Sequence, residues 1–328
     1  MWVNNRIALF FIVHTSNLAL RTRNSQKRGI AIDCPGIHIT HINTQIMKLL
    51  SWNIQWGRGM DGIVDFNRIL NTIRTLDMFD VICLQEVAVN FPGLAGSQGE
   101  DQFALLSQGL PEYTGIYGIA TDLPNAKGGR SYFGNAIFSR LPVGQVWRHL
   151  LPWAAEQTAP SMQRILIEAV VQSEIGSMRI MTTHLEYYSQ QQREQQIAHI
   201  RRLHVEACAM TRRAQLNEEQ NGPFEVHTRP ADAILCGDMN FPATARERLQ
   251  MLVPFDSGIP DFHDARTALF PDEPHIPTAG IHPVDFVDKP ECFDHIFITS
   301  GLINHLKAHR VDITTTASDH QPVWIELF

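Results

Sequence analysis

Short apolar runs rich in β-branched residues recur from Met47 to the C-terminus, and only three or four stretches of helical periodicity interrupt them. Such runs, bounded by glycine, proline and polar residues, read as strands. They are Met47–Ile54, Val81–Leu84, Tyr113–Ala120, Phe133–Phe138, Ile165–Val171, Met178–Thr183, Ala233–Leu235, Ile296–Ile298 and Val323–Leu327. Between Asp65 and Leu76, the residues Phe66, Ile69, Leu70, Ile73 and Leu76 fall on one helical stripe. Gln102–Leu110 reads as a short helix stopped by Pro111. Ser189 with Gln192 resembles a capping box opening a long helix that carries Ile197, Ile200, Leu203, Ala207 and Met210. Many strands with few helices predict a layered α/β (α+β) sandwich rather than a regular doubly wound sheet.

The first 46 residues differ from the rest. Ile7–Val13 is a short apolar run preceded only by Arg6 and followed by no A-x-A site, which makes a weak signal or anchor at most. Arg21, Arg23, Lys27 and Arg28 then fall in a polar stretch without periodicity. The expectation is a poorly structured extension over 1–46, with Met47 as the natural start, and one folded domain over 47–328. No run reaches the ~18 apolar residues of a membrane span. The five cysteines form no C-x-x-C pair, and three lie in strand-like runs, so a reducing, cytoplasmic setting is expected. A net charge of −7 argues against a protein that coats nucleic acid through a basic surface. It leaves open an acidic enzyme that meets phosphate through a cation.

Six apolar runs meet polar residues at their ends. They involve Asn53 and Gln55; Gln85 and Glu86; Thr183 and His184; Gly237, Asp238, Met239 and Asn240; Asp294 and His295; and Ser318, Asp319 and His320. Each alone is ordinary, because an Asp after a strand is usually a turn or cap residue and a single histidine is usually structural. Together they carry more weight, since neighbouring strands bring their ends to one rim, where ligands sit. Glu86, Asp238, Asp294 and Asp319 at one rim would repel one another unless a hard divalent cation joined them. Histidines and asparagines beside such an ion supply proton transfer and hydrogen bonds to an anion. The chemistry this fits is metal-assisted attack of water on a phosphate ester.

These residues resemble the endonuclease/exonuclease/phosphatase superfamily, also called DNase I-like, over residues 47–328. The matching signatures, in chain order, are Leu50-Ser51-Trp52-Asn53-Ile54-Gln55, Asp80-Val81-Ile82-Cys83-Leu84-Gln85-Glu86, Thr183-His184-Leu185, Cys236-Gly237-Asp238-Met239-Asn240 and Ser318-Asp319-His320-Gln321-Pro322. The resemblance implies a four-layer α/β/β/α sandwich of two packed mixed sheets with the site at one end. It implies a Mg²⁺-dependent hydrolase, Mn²⁺ being able to substitute, with Glu86 as main metal ligand, Asn53 helping at the metal and Asp319 as a weaker carboxylate beside it. Asp238 and Asn240 would orient or activate the water and contact the phosphate. His184 would bind or protonate a phosphate or leaving-group oxygen, and Asp294 would hold His320. Arg164, before a strand, is a candidate phosphate contact or a surface salt bridge.

The substrate lies in the loops. Lys127, Arg130 and Tyr132, Trp153 with Arg164, and the arginines 193, 201, 202, 212 and 213 of the long helix mildly favour a nuclease acting as a monomer on nucleic acid. A phosphodiesterase or phosphatase acting on a lipid or inositol phosphate is the alternative, with Phe91–Ala95 a candidate apolar loop. A more distant rival is an NAD-binding oxidoreductase, since Gly57, Gly59 and Gly62 form a literal G-x-G-x-x-G after a strand. A non-enzymatic binding module would not need so many acids and histidines at strand ends.

Overall fold

The computed structural model describes residues 46–126, 128–213, 222 and 227–328. The proposed extension therefore lies, except for Ile46, outside the described residues. So do Lys127, most of the polar 215–230 loop and the side chains of residues 212 and 213. Two six-stranded mixed sheets stack face to face. The first contains β1 (Met47–Asn53), β2 (Val81–Val89), β3 (Thr114–Pro124), β4 (Arg130–Ser139), β11 (Leu306–Val311) and β12 (Val323–Leu327), in the order β11-β12-β1-β2-β4-β3. The second contains β5 (Val143–Leu150), β6 (Ile165–Ser173), β7 (Gly176–His184), β8 (Ala233–Asp238), β9 (Phe262–Asp264) and β10 (Asp294–Thr299), in the order β5-β6-β7-β8-β10-β9.

Helices cover both outer faces. On the first sheet lie α1 (Phe66–Leu76) and α2 (Gln102–Gly109), whose Phe66, Ile69, Leu70, Ile73 and Leu106 pack on Leu50, Trp52, Ile82 and Leu84. On the second lies α3 (Gln190–Arg213), with Ile197, Ile200 and Leu203 against Leu166, Met181 and Leu235. Two shorter helices, α4 (Arg246–Met251) and α5 (Ala265–Leu269), were not legible in the sequence. Neither were β5, β9 and β11. These elements are short or half-exposed and show little period. The four-layer sandwich is the architecture the resemblance implied.

Local chemistry sets the helix starts. The Asp65 carboxylate accepts from the backbone N–H groups of Asn67 and Arg68 at 2.9 and 3.2 Å and so opens α1. Ser189 Oγ accepts from Gln192 N at 3.2 Å, but the Gln192 side chain donates to Ala154 O instead of turning back. Only half of the expected capping box forms. The rival dinucleotide reading fails here too. The first amides of α1 are taken by Asp65, the Gly57 Cα faces the Phe66 ring, and β1 runs antiparallel to β12 inside a mixed sheet.

Each sheet has one parallel pair at its centre, β1 with β2 and β7 with β8. This decides where the site forms. Parallel strands end on the same side, so Asn53 comes beside Gln85 and His184 beside Asp238. β10 runs antiparallel to β8, which sets its first residue, Asp294, opposite Asp238. Side chains alternate with period two. Leu49, Ile180, Cys236 and Ile296 face the apolar layer between the sheets. Continuing that alternation, Asn53, His184, Asp238 and Asp294 take inward positions where the layer reaches its rim.

The layer is not purely apolar. Gln85 Nε2 crosses it to Thr182 Oγ1 at 2.9 Å, tying the sheets together just below the rim. Gly237 makes the β7–β8 contact possible. Its φ is +143°, and an added Cβ would lie 1.8 Å from Thr183 O. Gly237→Ala is therefore expected to cost about 3 kcal/mol or more, read from urea unfolding of the metal-free protein. A change within experimental error would contradict the packing described here.

Candidate active site

The rim gathers Asn53, Gln55, Glu86, His184, Asp238, Asn240, Asp294, Asp319 and His320, whereas Thr183 and His295 alternate to the helix side of their strands. Asn53 stands between two carboxylates, its Nδ2 donating to Glu86 Oε1 at 3.0 Å and to Asp238 Oδ2 at 2.9 Å. Its Oδ1 accepts from Gln55 N at 3.0 Å. Asn53 thus positions the carboxylates and has its own oxygen already occupied. Asp238 Oδ1 accepts from Asn240 N at 2.9 Å, and Asn240 Nδ2 donates to Leu185 O at 2.9 Å. His320 Nδ1 lies 2.7 Å from Asp294 Oδ2, and its Nε2 lies 3.5 Å from Asp238 Oδ2. His184 approaches Asp238 Oδ2 with Nε2 at 3.5 Å and Glu86 Oε1 with Nδ1 at 3.8 Å. The segment 318–320 is pinned to β1, because Ser318 Oγ donates to Asn53 O and Trp52 Nε1 donates to His320 O.

Backbone strain marks three of these residues. Gln55 has φ +44°, Glu86 has φ +61° and Asn240 has φ +51°, a region where residues other than glycine are uncommon. In β2 the pairing with β4 slips between Leu84 and Val87, and both of those residues face the helices. A bulge of this kind re-aims a side chain. It leaves room for both Gln85 and Glu86, and so Glu86 turns to the rim instead of following the strict alternation.

The pocket separates its titratable groups. Burial and the charge of Asp319 push Glu86 up to about 7. Burial likewise raises Asp319. Burial and the neighbouring Arg164 push His184 down to about 3, so its ring is neutral at neutral pH. His320 goes the other way. Burial alone would lower it, but Asp294 and Asp238 lift it well above its ordinary value, and the ring is an imidazolium. A cationic His320 and a neutral His184 stand on two sides of one Asp238 oxygen.

Four carboxylates in one small pocket, one of them partly protonated near neutrality, fit a divalent cation. Such an ion offsets the burial and the repulsion that together raise Glu86. The stability consequence has a definite sign. The Glu86 carboxyl keeps its proton up to about 7 in the fold but releases it near 4.5 in the unfolded chain. Its contribution is therefore full at low pH and is lost as pH rises from the lower value to the upper. Mg²⁺ binds the ionised form, so thermal stabilisation by Mg²⁺ is expected to be larger at about pH 8 than at about pH 5. Glu86→Gln should flatten this difference; equal shifts at both pH values in the unaltered protein would contradict it.

Arg164 is not the surface salt bridge that was one of its two readings from the sequence. It is buried, and its Nε lies 3.4 Å from Glu186 Oε2 beneath His184. Burial of the pair, not a surface position, makes it part of the site's electrostatics. Glu186 had no signal in the sequence, because it follows His184-Leu185 in a loop. Gln55, singled out at the end of the first strand, donates from Nε2 to Asp319 Oδ2. One further contributor was missed: the Phe286 ring lies parallel to His320 with centroids 5.7 Å apart. Phe286 sits in a proline-rich loop with no period to place it.

Beside the pocket opens a cleft of about 530 Å³ lined by residues that include Arg58, Met60, Tyr187, Tyr188 and Phe286. Among the described residues, three other cations expected to face substrate are already paired. Arg130 pairs with Asp122, Arg193 with Glu247, and Arg201 donates to Met251 O beneath Phe255. No helix among the described residues is long and apolar enough to cross a membrane.

The endonuclease/exonuclease/phosphatase family model matches residues 50–320, a span that includes every one of these rim residues. The chain belongs to the endonuclease/exonuclease/phosphatase family. Members of this family hydrolyse phosphoric esters and generally use divalent metals. The fold is shared with an endonuclease/exonuclease/phosphatase from Beutenbergia cavernae DSM 12333, at 22% identity over 86% of this chain and 71% of that one, with a TM-score of 0.62. A mannosyl-6-phosphatase of Bacteroides thetaiotaomicron VPI-5482 is 18% identical over 86% of this chain and all (100%) of its own, with a TM-score of 0.56. D. rerio TDP2 complexed with a single-strand DNA product is 19% identical over 86% of this chain and 99% of its own, with a TM-score of 0.55. At these identities the likeness shows the fold alone. No curated protein matches the sequence.

Proposed function

We propose that this member of the endonuclease/exonuclease/phosphatase family is a Mg²⁺-dependent phosphodiesterase acting on nucleic acid. The observation that carries the reading is the convergence of Glu86, Asp238 and the Asp294–His320 pair around Asn53. Glu86 holds the ion, with Asp319 beside it and Asn53 fixing the carboxylate that binds it. Bound there, Mg²⁺ offsets charge on the attacked phosphate and lowers the pKa of water. Asp238, held by Asn53 and the Asn240 amide, is the oxygen base placed to orient the attacking water. Neutral His184 offers a hydrogen bond to a phosphate oxygen rather than a full proton. The cationic His320, kept protonated by Asp294, stabilises charge that develops on phosphate oxygens. Burial, helped by the field of Arg164, keeps His184 neutral.

Nucleic acid is favoured by the cleft. Tyr187 and Tyr188 are exposed there at 37% and 61%, and tyrosine rings at the edge of such a site offer stacking faces to bases. The similarity to a TDP2 fold seen with a single-strand DNA product agrees with this. A second reading, a phosphatase of small phosphorylated molecules, is favoured by the few cations left facing the cleft and by the mannosyl-6-phosphatase fold. Turnover with Mg²⁺ is measured on single-stranded DNA, RNA, a chromogenic phosphodiester, an inositol phosphate and a sugar phosphate. The nucleic acids should turn over fastest. Faster turnover of a monoester would replace the first reading with the second.

A further inference from the structure

On β10 the residue after the catalytic-side Asp294 points the opposite way. His295 is 2% exposed on the helix side of the second sheet, its ring stacked on Phe241 and Phe297 at 5.0 and 5.8 Å. Its Nε2 lies 3.1 Å from Phe241 O. A carbonyl only accepts, so Nε2 carries the hydrogen. The other ring nitrogen, Nδ1, is buried and has no hydrogen-bond partner. It faces Asp264 Oδ2 at 3.8 Å, too far for a hydrogen bond. His275, from the loop that precedes β10, brings its Nε2 to 2.9 Å from the same oxygen. One donor atom from each of Asp264, His275 and His295 lies within 4.8 Å of the others.

With Nε2 held by Phe241 O, His295 turns a buried, unpartnered Nδ1 toward a carboxylate across a gap with nothing to join them. A cation in that gap makes both groups ligands. The bond from His295 Nε2 to a backbone carbonyl is the kind of outer contact that fixes a metal-binding imidazole. Asp264 is also held from outside: Arg248 Nε donates to Oδ2 at 2.8 Å, and Thr267 N donates to Oδ1 at 3.1 Å. Two imidazoles and one carboxylate suit zinc and its transition-metal neighbours, whereas Mg²⁺ prefers oxygen donors and water. We propose that Asp264, His275 and His295 form a second metal site, binding one Zn²⁺ or a like transition-metal ion with water as the remaining ligand. It lies on the face of β10 opposite the catalytic pocket and is independent of the substrate assigned above.

The site would fasten the 271–291 loop to β9 and β10. That loop carries Phe286 over His320, and its Thr278 Oγ1 accepts from Asp294 N. The test is a titration of the chelator-treated full chain with Zn²⁺, and with Co²⁺ as a visible probe. Asp238, Asp294 and His320 also come within metal-binding reach of one another, so the titration is repeated in a Glu86→Gln, His320→Ala double variant. One equivalent of Zn²⁺ should bind in the double variant, with the d–d absorption of four-coordinate Co²⁺. That equivalent should be lost when His295→Ala or His275→Ala is added to the double variant. His275 is only partly buried, so His275→Ala remains informative even if His295→Ala does not fold. Absence of Zn²⁺ binding in the double variant, or its retention after folded His275→Ala is added to it, would each overturn the proposal.

Discussion

Replacing Glu86 with glutamine should abolish Mg²⁺-dependent hydrolysis, by about a thousandfold or more, and leave the fold intact. Both halves of this expectation have the same cause. Glu86 is pushed up to about 7 by burial and by Asp319, so the folded protein gains little from its charge when no ion is bound. An amide keeps the side chain's shape and can still meet Asn53, but it removes the negative oxygen that holds a cation. The metal-free variant should therefore melt no lower than the unaltered protein above neutral pH, while its response to Mg²⁺ disappears. Full activity of Glu86→Gln would remove Glu86 from the metal site. A collapsed fold would show instead that the bulge at Glu86 is structural.

Asp238→Asn should slow the chemical step by about 10²–10⁴-fold, with a smaller change in KM. Asp238 is the hub of the pocket. It accepts from Asn53 Nδ2 and Asn240 N, and it has His184 and His320 at 3.5 Å on one oxygen. An asparagine must turn an NH₂ toward one of these donors or toward the water. The water loses its base, and His320 loses one of the two carboxylates that keep it charged. The alkaline limb of the pH–rate profile, where the His320 imidazolium loses its proton, is followed alongside kcat and separates the two effects. Only the loss of His320 charge moves that limb, whereas the loss of the base lowers the whole profile. An Asp238→Asn enzyme as fast as the unaltered one would show that another group handles the water.

Much of this pocket was legible before any coordinates. Asn53, Glu86, His184, Asp238, Asp294 and His320 each interrupt or flank an apolar strand, and a polar residue there must be either capped or used. Period-two alternation also orients most of them, because Asn53, His184, Asp238 and Asp294 continue rows of residues that face the inner layer. The same rule failed at Glu86, where a bulge and a positive φ turn the side chain, and a sequence carries no sign of a bulge. At the start of β10 the rule does separate Asp294 from His295. Adjacent residues on a strand face opposite layers, so one serves the pocket and the other the far side.

Partners in space were the part the sequence could not supply. One reading of Arg164 was a surface salt bridge, whereas its pair with Glu186 lies in the interior. The helix arginines looked like a basic face, yet Arg193 and Arg201 are spent on packing α4. The chain by itself determined which residues are polar where strands end, since local hydrophobic pattern is a property of neighbours in the polymer. Only the tertiary structure decided that two parallel pairs, in two different sheets, finish at one rim. Strand direction and sheet stacking arise from contacts between residues hundreds of positions apart, which no short window of sequence contains.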